Sequence, residues 1–504
     1  MKIFNAKQIR ELDQVTIKNE PIASIDLMER ASERFTNWLL KAVLEKNKQL
    51  SEIFIFAGMG NNGGDGLAIA RMLQKKGYAP RVFVVKFTQK GSPDFEVNLK
   101  RLTRTVEVPF IENEAQIPKI TEGALVIDAI FGSGLSRAIE GIAANVVERI
   151  NQGNYIVAAV DIPSGIYSDE INADDKKIKA DFVLSFQFPK AAFLMRENEA
   201  YVKSWEITSI DLHPEAIKNT QTDQFLVEEE EIKSWLKPRQ KFSHKGTYGH
   251  LLLMAGSKGK MGAAQLSLRA ALKSGVGLLT AYVPSCGYEI IQTSVPEAMC
   301  LTDEHQEVLS SFPELDMFKT IAIGPGIGTG QQTSKMLAKL LAELKTPAVL
   351  DADALNILSK NPTLLKALPE YSILTPHPKE FERLAGASEN TPEQWKRLRA
   401  FSQEHKVVTV LKGAYTAIAD SNGLLYFNNT GNPGMATGGT GDVLTGIIAG
   451  LLTAGYTSLQ AAKMGVYLHG LAGDLAAKDL GQEALSAGDL VQYLGKAFLT
   501  LQSR

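Results

Sequence analysis

A run of glycine, threonine and aspartate near the end of the chain could bind a phosphate group and move a proton beside it. Residues 435–444 read Met-Ala-Thr-Gly-Gly-Thr-Gly-Asp-Val-Leu, and the apolar pattern that follows predicts a helix. Gly438, Gly439 and Gly441 let consecutive backbone amides approach an anion at the positive end of that helix. Asp442 is an acid where an anion is expected, which indicates a general base beside the phosphate. A plain turn before a helix is the alternative.

A second group of polar side chains follows strand ends in the first half. Residues 58–66 read Gly-Met-Gly-Asn-Asn-Gly-Gly-Asp-Gly, between a predicted strand at 53–57 and a predicted helix over about 66–76. Loops 128–137 and 161–165 also end predicted strands and begin with aspartate. Because parallel strands end at one edge of an open sheet, these side chains are expected near a ligand. They could bond ribose, phosphate or a cation, or serve only the turns.

Length and composition favour a small-molecule enzyme of two or three domains. The 504 residues carry 54 basic and 56 acidic side chains, so no overall field attracts nucleic acid or an anionic membrane. Cys286 and Cys300 lack metal-ligand or redox spacing, and neither a secretory signal nor a membrane-spanning stretch is present. We therefore expect small-molecule substrates, no nucleic-acid or membrane partner, a cytoplasmic location and a homo-oligomer.

Two series of alternating strands and helices must position these residues. The first begins with a helical segment near residues 7–48, and a polar, acidic stretch at 211–240 separates the two series. The alternation predicts an α/β fold with a doubly wound parallel sheet. Predicted strands lie at 53–57, 81–86, 124–129, 156–160 and 181–186, and then at 250–255, 277–283, 320–323, 348–351, 372–375 and 407–411.

The motifs of the first half resemble the epimerase domain of the NAD(P)H-hydrate repair enzymes. Asn-Asn-Gly-Gly-Asp-Gly, Phe-Gly-Ser-Gly-Leu and Asp-Ile-Pro-Ser-Gly occur in that family's order and spacing. The resemblance implies a Rossmann-like domain over residues 1–215 and a potassium ion held by Asn62, Asp128 and Ser164. Asp161 is favoured as the proton-handling group, with Asp65 as the alternative. The substrate contacts that it implies are Asn61, Asn62, Gly63, Gly64, Asp65, Gly132, Ser133, Gly134, Leu135, Ser136, Arg137, Ala138 and Asp161, and Ala138 stands where many relatives carry proline.

The motifs of the second half resemble the ADP-dependent NAD(P)H-hydrate dehydratases of the ribokinase-like superfamily. The resemblance implies a ribokinase-like domain over residues 225–504. Its motifs are Ala-Gly-Ser at 255–257, Met-Gly-Ala-Ala at 261–264, Ile-Gly-Pro-Gly-Ile-Gly at 323–328, Leu-Asp-Ala-Asp-Ala-Leu-Asn at 350–356, Thr-Pro-His-Pro-Lys-Glu-Phe at 375–381 and Leu-Lys-Gly-Ala-Tyr-Thr at 411–416. By the same resemblance, ADP or AMP is bound by Lys412, Gly413, Ala414, Tyr415, Thr416 and Gly441, and the hydrated nucleotide by Ala263, Gly326, His377 and Asp442.

The two resemblances together predict a bifunctional enzyme. It would interconvert (R)- and (S)-NAD(P)H hydrate and dehydrate the (S)-epimer with ADP, giving NAD(P)H, AMP and phosphate. Asp442 would be the general base of the second reaction, with Mg²⁺ and the amides of 438–441 spreading the developing charge. The alternatives are a kinase of a vitamin-type alcohol and a non-catalytic N-terminal scaffold. The sequence leaves open NADH against NADPH hydrate, ADP against ATP, and the number of subunits.

Overall fold

Two compact units make up the described part of the chain. One unit spans Lys2–Thr222, and the other spans Asp223–Arg504 together with Met1. Each unit combines a β-sheet with helices, so the predicted α/β class is confirmed. Among the described residues, no helix has both the length and the apolar character that a membrane crossing requires. The computed structural model describes residues 1–47, 50, 52–172 and 176–502.

The N-terminal unit contains a doubly wound parallel sheet. The strands of this unit are β1 (Lys2–Ile3), β2 (Ile53–Ala57), β3 (Arg81–Val85), β4 (Phe110–Ile111), β5 (Leu125–Ala129), β6 (Ile156–Val160), β7 (Phe182–Phe186) and β8 (Trp205–Thr208). Seven of them pair in the order β4-β3-β2-β5-β6-β7-β8, and every pair is parallel. The order reverses between β2 and β5, and sheets of this kind bind ligands at that switch point.

Helices cover both faces of this sheet, so its strands are buried on both sides. The helices are α1 (Ala6–Asn19), α2 (Ser24–Leu39), α3 (Asn61–Lys75), α4 (Pro93–Leu102), α5 (Gly141–Gln152) and α6 (Pro214–Asn219). The core under α2, α3 and α4 includes Phe35, Ile55 and Leu67. The core under α5 takes the alternate strand residues Phe54 and Phe56, because successive side chains on a strand point to opposite faces.

Two helix predictions for this unit were wrong in extent. The single segment near 7–48 is α1 followed by α2, with Pro21 in the turn between them; its last residue lies outside the described residues. The helix expected from about residue 66 begins at Asn61. A Cβ on Gly63 would lie 1.8 Å from the carbonyl oxygen of Gly58, so only glycine lets this first turn lie against the preceding loop.

The C-terminal unit contains a mixed sheet. Its strands are β9 (Gln224–Leu226), β10 (His250–Met254), β11 (Leu278–Pro284), β12 (Met299–Asp303), β13 (Thr320–Ile323), β14 (Val349–Leu350), β15 (Ile373–Leu374), β16 (Val408–Leu411), β17 (Ala417–Ala419) and β18 (Leu425–Phe427). They lie in the order β9-β18-β17-β16-β15-β14-β13-β10-β11-β12. From β12 to β16 the neighbours pair in parallel, and β17 is antiparallel to β16 and β18.

A pair of closely packed helices lies under the predicted phosphate site of this unit. The helices of the unit are α7 (Glu229–Trp235), α8 (Met261–Lys273), α9 (Tyr288–Ser294), α10 (Gln331–Glu343), α11 (Ala352–Lys360), α12 (Pro378–Ala385), α13 (Thr391–His405), α14 (Thr440–Thr453), α15 (Ser458–Leu480) and α16 (Ala487–Gln502). A Cβ on Gly446 of α14 would lie 2.1 Å from the carbonyl oxygen of Ser267 on α8. The two backbones therefore approach closely, which fixes the start of α14 against α8.

Candidate active sites at two strand edges

The N-terminal unit has a cavity of about 670 Å³ at the switch point of its sheet. The walls come from α1, α2 and the loops that follow β2, β5, β6 and β7. A cavity of this size is in the range of small-molecule sites. The predicted residues in its lining are Asn61, Asn62, Asp65, Gly132, Ser133, Gly134, Leu135, Ser136, Arg137 and Asp161. Gly63, Gly64 and Ala138 lie outside this lining, and their role as substrate contacts stays a prediction.

The three side chains predicted to hold potassium belong to one hydrogen-bonded group, in which Asn62 and Ser164 bond the Phe131 peptide and Asp128 bonds Ser164. Asn62 Nδ2 donates to the Phe131 carbonyl oxygen at 2.9 Å, and Ser164 Oγ accepts from the Phe131 amide at 2.8 Å. Asp128 is fully buried, and its two oxygens accept from Ser164 Oγ at 2.6 Å and from the Ser164 amide at 2.7 Å. Burial raises the pKa of Asp128 to about 6 although these bonds oppose the shift.

Asp161 occupies a strained position directly after β6. Its φ of 66° lies in the left-handed region that side chains other than glycine seldom adopt, and such strain concentrates at functional sites. Its Oδ1 accepts from Lys190 Nζ at 2.6 Å and from the Phe186 amide at 2.9 Å. Lys190 is fully buried, so this ion pair lies beneath the cavity wall. The carboxylate of Asp161 is thereby oriented at the cavity.

Several groups in this cavity were missed by the sequence analysis. Lys190 could have been found, because it follows β7 at the same sheet edge as the predicted loops. Asp13 gave no signal, because it lies within α1 on an ordinary amphipathic helix. Asp65 had been considered, and its Oδ1 accepts from Ser32 Oγ at 3.0 Å. Burial raises the pKa of Asp65 well above its usual value.

The second site lies where five parallel strands of the C-terminal unit end. Lys412 follows β16, His377 follows β15, and Asp351 follows β14. Gly326 follows β13, and Ala263 begins α8 after β10. A Cβ on Gly326 would lie 3.3 Å from the Cβ of Ala263, and its φ of 69° favours glycine. All five residues named here therefore stand at one edge of the sheet.

The glycine run forms the N-terminal end of α14. Gly439 is the residue before the helix and has a φ of 93°, where glycine is favoured. A Cβ on Gly438 would have no atom within 4 Å. A Cβ on Gly441 would meet only Lys412 Nζ, at 3.4 Å. Free space therefore surrounds the first amides of a long helix, as an anion site requires. Asp442 lies in the first turn of this helix.

Charged groups converge around Asp442. Lys412 Nζ lies 2.9 Å from Asp351 Oδ1, and Thr445 Oγ1 donates to Asp351 Oδ2 at 2.6 Å. The pKa of Asp442 is raised to about 6, mainly by burial and also by the charge of Asp351, with Lys412 opposing the shift. Asp442 is therefore mostly ionised at neutral pH and takes up a proton more readily than an exposed aspartate.

His377 and Thr416 hold their own loops in shape. His377 Nδ1 accepts from the Lys379 amide at 3.1 Å and from the Glu380 amide at 3.3 Å at the start of α12. Burial lowers the pKa of His377, while Glu380, whose Oε1 lies 3.4 Å from Nε2, opposes the shift; because Nδ1 accepts, Nε2 carries a proton. Thr416 Oγ1 donates to the Gly413 carbonyl oxygen at 3.1 Å and closes the turn after β16. The remaining predicted nucleotide residues, Ala414 and Tyr415, lie in that turn.

Two further side chains at this site carried no sequence signal. Lys260 Nζ lies 3.3 Å from Asp353 Oδ2, which also accepts from the Gly328 amide at 2.8 Å. His469 on α15 donates from Nε2 to the carbonyl oxygen of Thr440 at 2.9 Å, because a carbonyl oxygen can only accept. Burial lowers the pKa of His469 to about 4. The described residues contain no cluster of three or more His, Cys, Asp or Glu suited to a metal ion.

Comparisons with known proteins match both units. Residues 251–496 match the family described as NAD(P)H-hydrate dehydratase, and residues 24–192 match the family described as YjeF-related protein N-terminus. A bifunctional NAD(P)H-hydrate repair enzyme of Moorella thermoacetica is 35% identical over 512 residues, covering 98% of this chain and 96% of the relative. Its counterpart in Coxiella burnetii is 34% identical over 498 residues, covering 98% of each.

One solved structure supports the fold of the second unit. A ribokinase-like superfamily protein of Enterococcus faecalis is 27% identical, with a TM-score of 0.50, and covers 56% of this chain and 98% of that chain. Fold and sites thus define a two-part α/β enzyme with a Rossmann-like unit and a ribokinase-like unit. The chain belongs to the family of bifunctional NAD(P)H-hydrate repair enzymes. The family resemblance drawn from the motifs is confirmed, and repair is favoured over the kinase alternative.

Proposed function

We propose that the C-terminal unit dehydrates (S)-NAD(P)H hydrate with ADP and that the N-terminal unit interconverts the (R)- and (S)-epimers. The observation that carries this proposal is the position of Asp442, at the glycine-lined start of α14 and beside the Lys412–Asp351 pair. A base next to an anion site suits transfer of a phosphoryl group to a hydroxyl. The names of the relatives supply the substrate class.

In the proposed dehydration, phosphorylation turns the hydroxyl at ring atom C6 into a good leaving group. Asp442 takes the hydroxyl proton as the oxygen attacks the terminal phosphoryl of ADP, and AMP leaves with the bridging oxygen. The C6–O bond then breaks with help from the ring nitrogen lone pair, releasing phosphate. Loss of a proton from C5 restores NAD(P)H. The amides of Gly438–Gly441 and the Lys412 ammonium stabilise the charge on the transferring group.

Nucleotide binding is proposed at the turn after β16. Lys412, Gly413, Ala414, Tyr415, Thr416 and Gly441 would hold ADP, and Ala263, Gly326, His377 and Asp442 would contact the hydrated nucleotide. Mg²⁺ fits this site only in company with phosphate oxygens, because the described residues offer no carboxylate cluster of their own. When bound, the ion would neutralise phosphate charge. Neutral His377 would offer its Nε2 proton to an amide or phosphate oxygen.

In the proposed epimerisation, Asp161 handles the proton of the C6 hydroxyl. Its carboxylate is oriented by Lys190 and faces the cavity. Asn62, Asp128 and Ser164 belong to one hydrogen-bonded group and offer hard oxygen donors, which would suit a potassium ion. When bound, potassium would add positive charge beside the phosphates of the substrate. The remaining polar lining, from Asn61 to Asp65 and from Gly132 to Ala138, is proposed to bind the nucleotide.

The deciding experiment mixes the purified chain with both hydrate epimers and ADP, then separately with ATP. The proposal predicts recovery of the near-ultraviolet absorbance of the reduced nicotinamide ring, with AMP and inorganic phosphate formed in step with ADP consumption. A chain without added nucleotide is the control. A stable phosphorylated organic product, with no recovery of NAD(P)H, would instead support the kinase alternative.

Location and assembly complete the proposal. We propose a cytoplasmic location, with which the free thiols of Cys286 and Cys300 agree. We also propose a homo-oligomer, as is common for large α/β enzymes. Light scattering on the eluted chromatographic peak would give the number of subunits directly.

A further inference from the structure

A second carboxylate faces Asp161 across the N-terminal cavity. Asp13 lies in the middle of α1, and its neighbours one turn before and after it, Ile9 and Ile17, line the same cavity. Asp13 is thus the acidic residue on the face that α1 turns towards the site, between these two isoleucines and beside Arg10 and Gln14. It lies within electrostatic range of both Asp161 and Lys190. None of the sequence motifs includes it.

Four carboxylates line this cavity, and their surroundings differ; Asp94 accepts from Ser24 Oγ at 2.6 Å. Asp161 accepts from Lys190 Nζ and from the Phe186 amide, which are donors that stabilise a carboxylate. Asp65 accepts from Ser32 Oγ on the side of α2. The influences on the Asp13 carboxyl group are burial and the charges of Asp161 and Lys190, with no hydrogen bond from the described residues among them. Asp13 is therefore the carboxyl group that is left free to act on a molecule in the cavity.

The electrostatics separate Asp13 from Asp161. The pKa of Asp13 is raised to about 7, mainly by burial and also by the charge of Asp161, with Lys190 opposing the shift. An aspartate with such a pKa carries a proton in a large fraction of molecules at neutral pH. A protonated carboxyl group beside a second carboxylate that accepts from a lysine is a usual arrangement of a general acid with a general base.

We infer that Asp13 is the general acid of the N-terminal site and acts together with Asp161 as the base. This inference rests on the proposed epimerase function, which requires an acid as well as a base. It leaves no proton-handling role for Asp65, the alternative to Asp161, whose carboxyl group accepts from Ser32 Oγ.

The step balances without an oxidant or a further reactant. Asp161 takes the proton of the C6 hydroxyl, and the O–H electron pair becomes the second bond of a C6 aldehyde. The C6–N1 bond breaks, its electron pair stays on N1, and Asp13 gives N1 a proton. Rotation about the C5–C6 bond presents the other face of the aldehyde. N1 then attacks C6 and returns its proton to Asp13, while the oxygen regains the proton held by Asp161.

Other charged groups near Asp13 bear on its pH dependence. Helix α2 adds uncharged side chains to the cavity, and α1 adds one further charge. The charged groups that line the cavity with Asp13 are Arg10 on α1, Asp65 on α3, Asp94 on α4, Arg137 after β5, Asp161 after β6 and Lys190 after β7. A pH profile must therefore be compared between wild type and the Asp13 variant, because only the difference reports Asp13.

The test measures equilibration of one pure epimer by the full chain in the absence of ADP. Asp13→Asn is isosteric, and we expect it to lower kcat for epimerisation by about 10²- to 10⁴-fold, the usual contribution of a general acid, with KM little changed. Dehydration of the (S)-epimer by the same variant should stay at the wild-type rate. Glu11→Gln, an exposed change on the same helix, is the matched control and should have no effect.

The pH profile separates a proton donor from a structural residue. Wild-type epimerisation should fall as pH rises through about 7, because Asp13 loses its proton there, and Asp13→Asn should lack this limb. Asp13→Glu, which retains the acid, should keep part of the activity and the limb. Wild-type rates in Asp13→Asn, or an unchanged limb, overturn the inference while leaving the epimerase function standing. A wild-type chain that does not equilibrate the epimers overturns both.

Discussion

Each site contains a largely buried aspartate–lysine pair, but the more exposed partner is the aspartate in one pair and the lysine in the other. In the N-terminal unit Lys190 is 1% exposed and Asp161 13%, so the acid faces the cavity. In the C-terminal unit the Asp351 side chain is 2% exposed and the Lys412 side chain 20%, so the lysine faces the site. The same interaction thus leaves a carboxylate at the surface of one site and an ammonium group at the surface of the other.

The difference follows from the chemistry proposed for each pocket. An epimerase moves protons and needs an oriented carboxylate, whereas transfer of a phosphoryl group needs positive charge at the developing anion. The C-terminal unit therefore needs a separate base, and Asp442 stands beside the pair. The buried partner in each pair is the one that holds the exposed partner in place. The following predictions test this contrast, beginning with the largest effect.

Removing the separate base should abolish most of the second reaction alone. Asp442→Asn should lower the rate of dehydration at saturating ADP by about 10²- to 10⁴-fold, the usual contribution of a general base. Epimerisation should be unchanged. Asp479→Asn, an exposed substitution in the same unit, is the control. A near-wild-type dehydration rate in Asp442→Asn would remove Asp442 from the mechanism.

Removing a buried cation should destabilise its unit, whereas removing an exposed one should not. Lys190→Met leaves Asp161 without its partner, and we expect the free energy of unfolding of the N-terminal unit to fall by about 3 kcal/mol. Lys203→Met breaks an ion pair with Asp181 in which the lysine is 78% exposed, and this loss should be close to zero. Urea-induced unfolding measures both. Equal losses would show that burial does not distinguish the pairs.

The two activities should respond to pH in opposite directions. The pKa of Asp442 is raised to about 6, so this base is ionised above that pH and protonated below it. Dehydration should therefore slow by about tenfold per pH unit below 6, as expected for a single essential base. Epimerisation, with an acid whose pKa is about 7, should slow on the alkaline side instead. Initial rates of each reaction across the same buffers provide the comparison.

Potassium should matter to one site only. If Asn62, Asp128 and Ser164 hold the ion, replacing potassium with tetramethylammonium at constant ionic strength should slow epimerisation several-fold. The large organic cation cannot enter an oxygen cage. Dehydration should continue at its usual rate. Equal epimerisation rates in the two salts would remove potassium from the proposal.

Separating the units should change least. Residues 1–222 and 223–504 each have their own sheet and core, so each fragment should fold alone. The C-terminal fragment with ADP should stop at about half conversion of an even epimer mixture, and adding the N-terminal fragment should complete it. Rapid use of both epimers by the C-terminal fragment would contradict the division of labour. An insoluble fragment would show that the units fold together.

Strand positions were the most predictable part of the fold. Every predicted strand is found to within one residue at each end, because buried parallel strands carry uninterrupted apolar runs between turn residues. Several other strands escaped prediction, among them the four-residue β8, the five-residue β12 and the strands β17 and β18. β17 and β18 have three residues each and lie antiparallel at the side of the sheet, where so short a run has no readable period.

The site motifs were predictable as groups but not as contacts. The strand-end rule placed Asn62, Asp128 and Ser164 at one edge, where Asn62 and Ser164 bond the Phe131 peptide and Asp128 bonds Ser164. It did not indicate that Gly63 and Gly64 face neighbouring backbone and side chains rather than the cavity. Glycine is required by close packing as well as by ligand approach, and a sequence does not distinguish the two causes.

By itself, the sequence determined the class of fold, the order of the strands in the chain and the local motifs that end them. These depend on periodicity and on turn chemistry, which are properties of neighbouring residues. Only the tertiary structure decided which charges meet. Asp13 on the first helix lies within electrostatic range of Asp161 and Lys190, which follow strands far along the chain. Burial is the main cause of the raised pKa of Asp13 and of Asp442. Desolvation is a property of the whole fold around a group, so no local pattern encodes it.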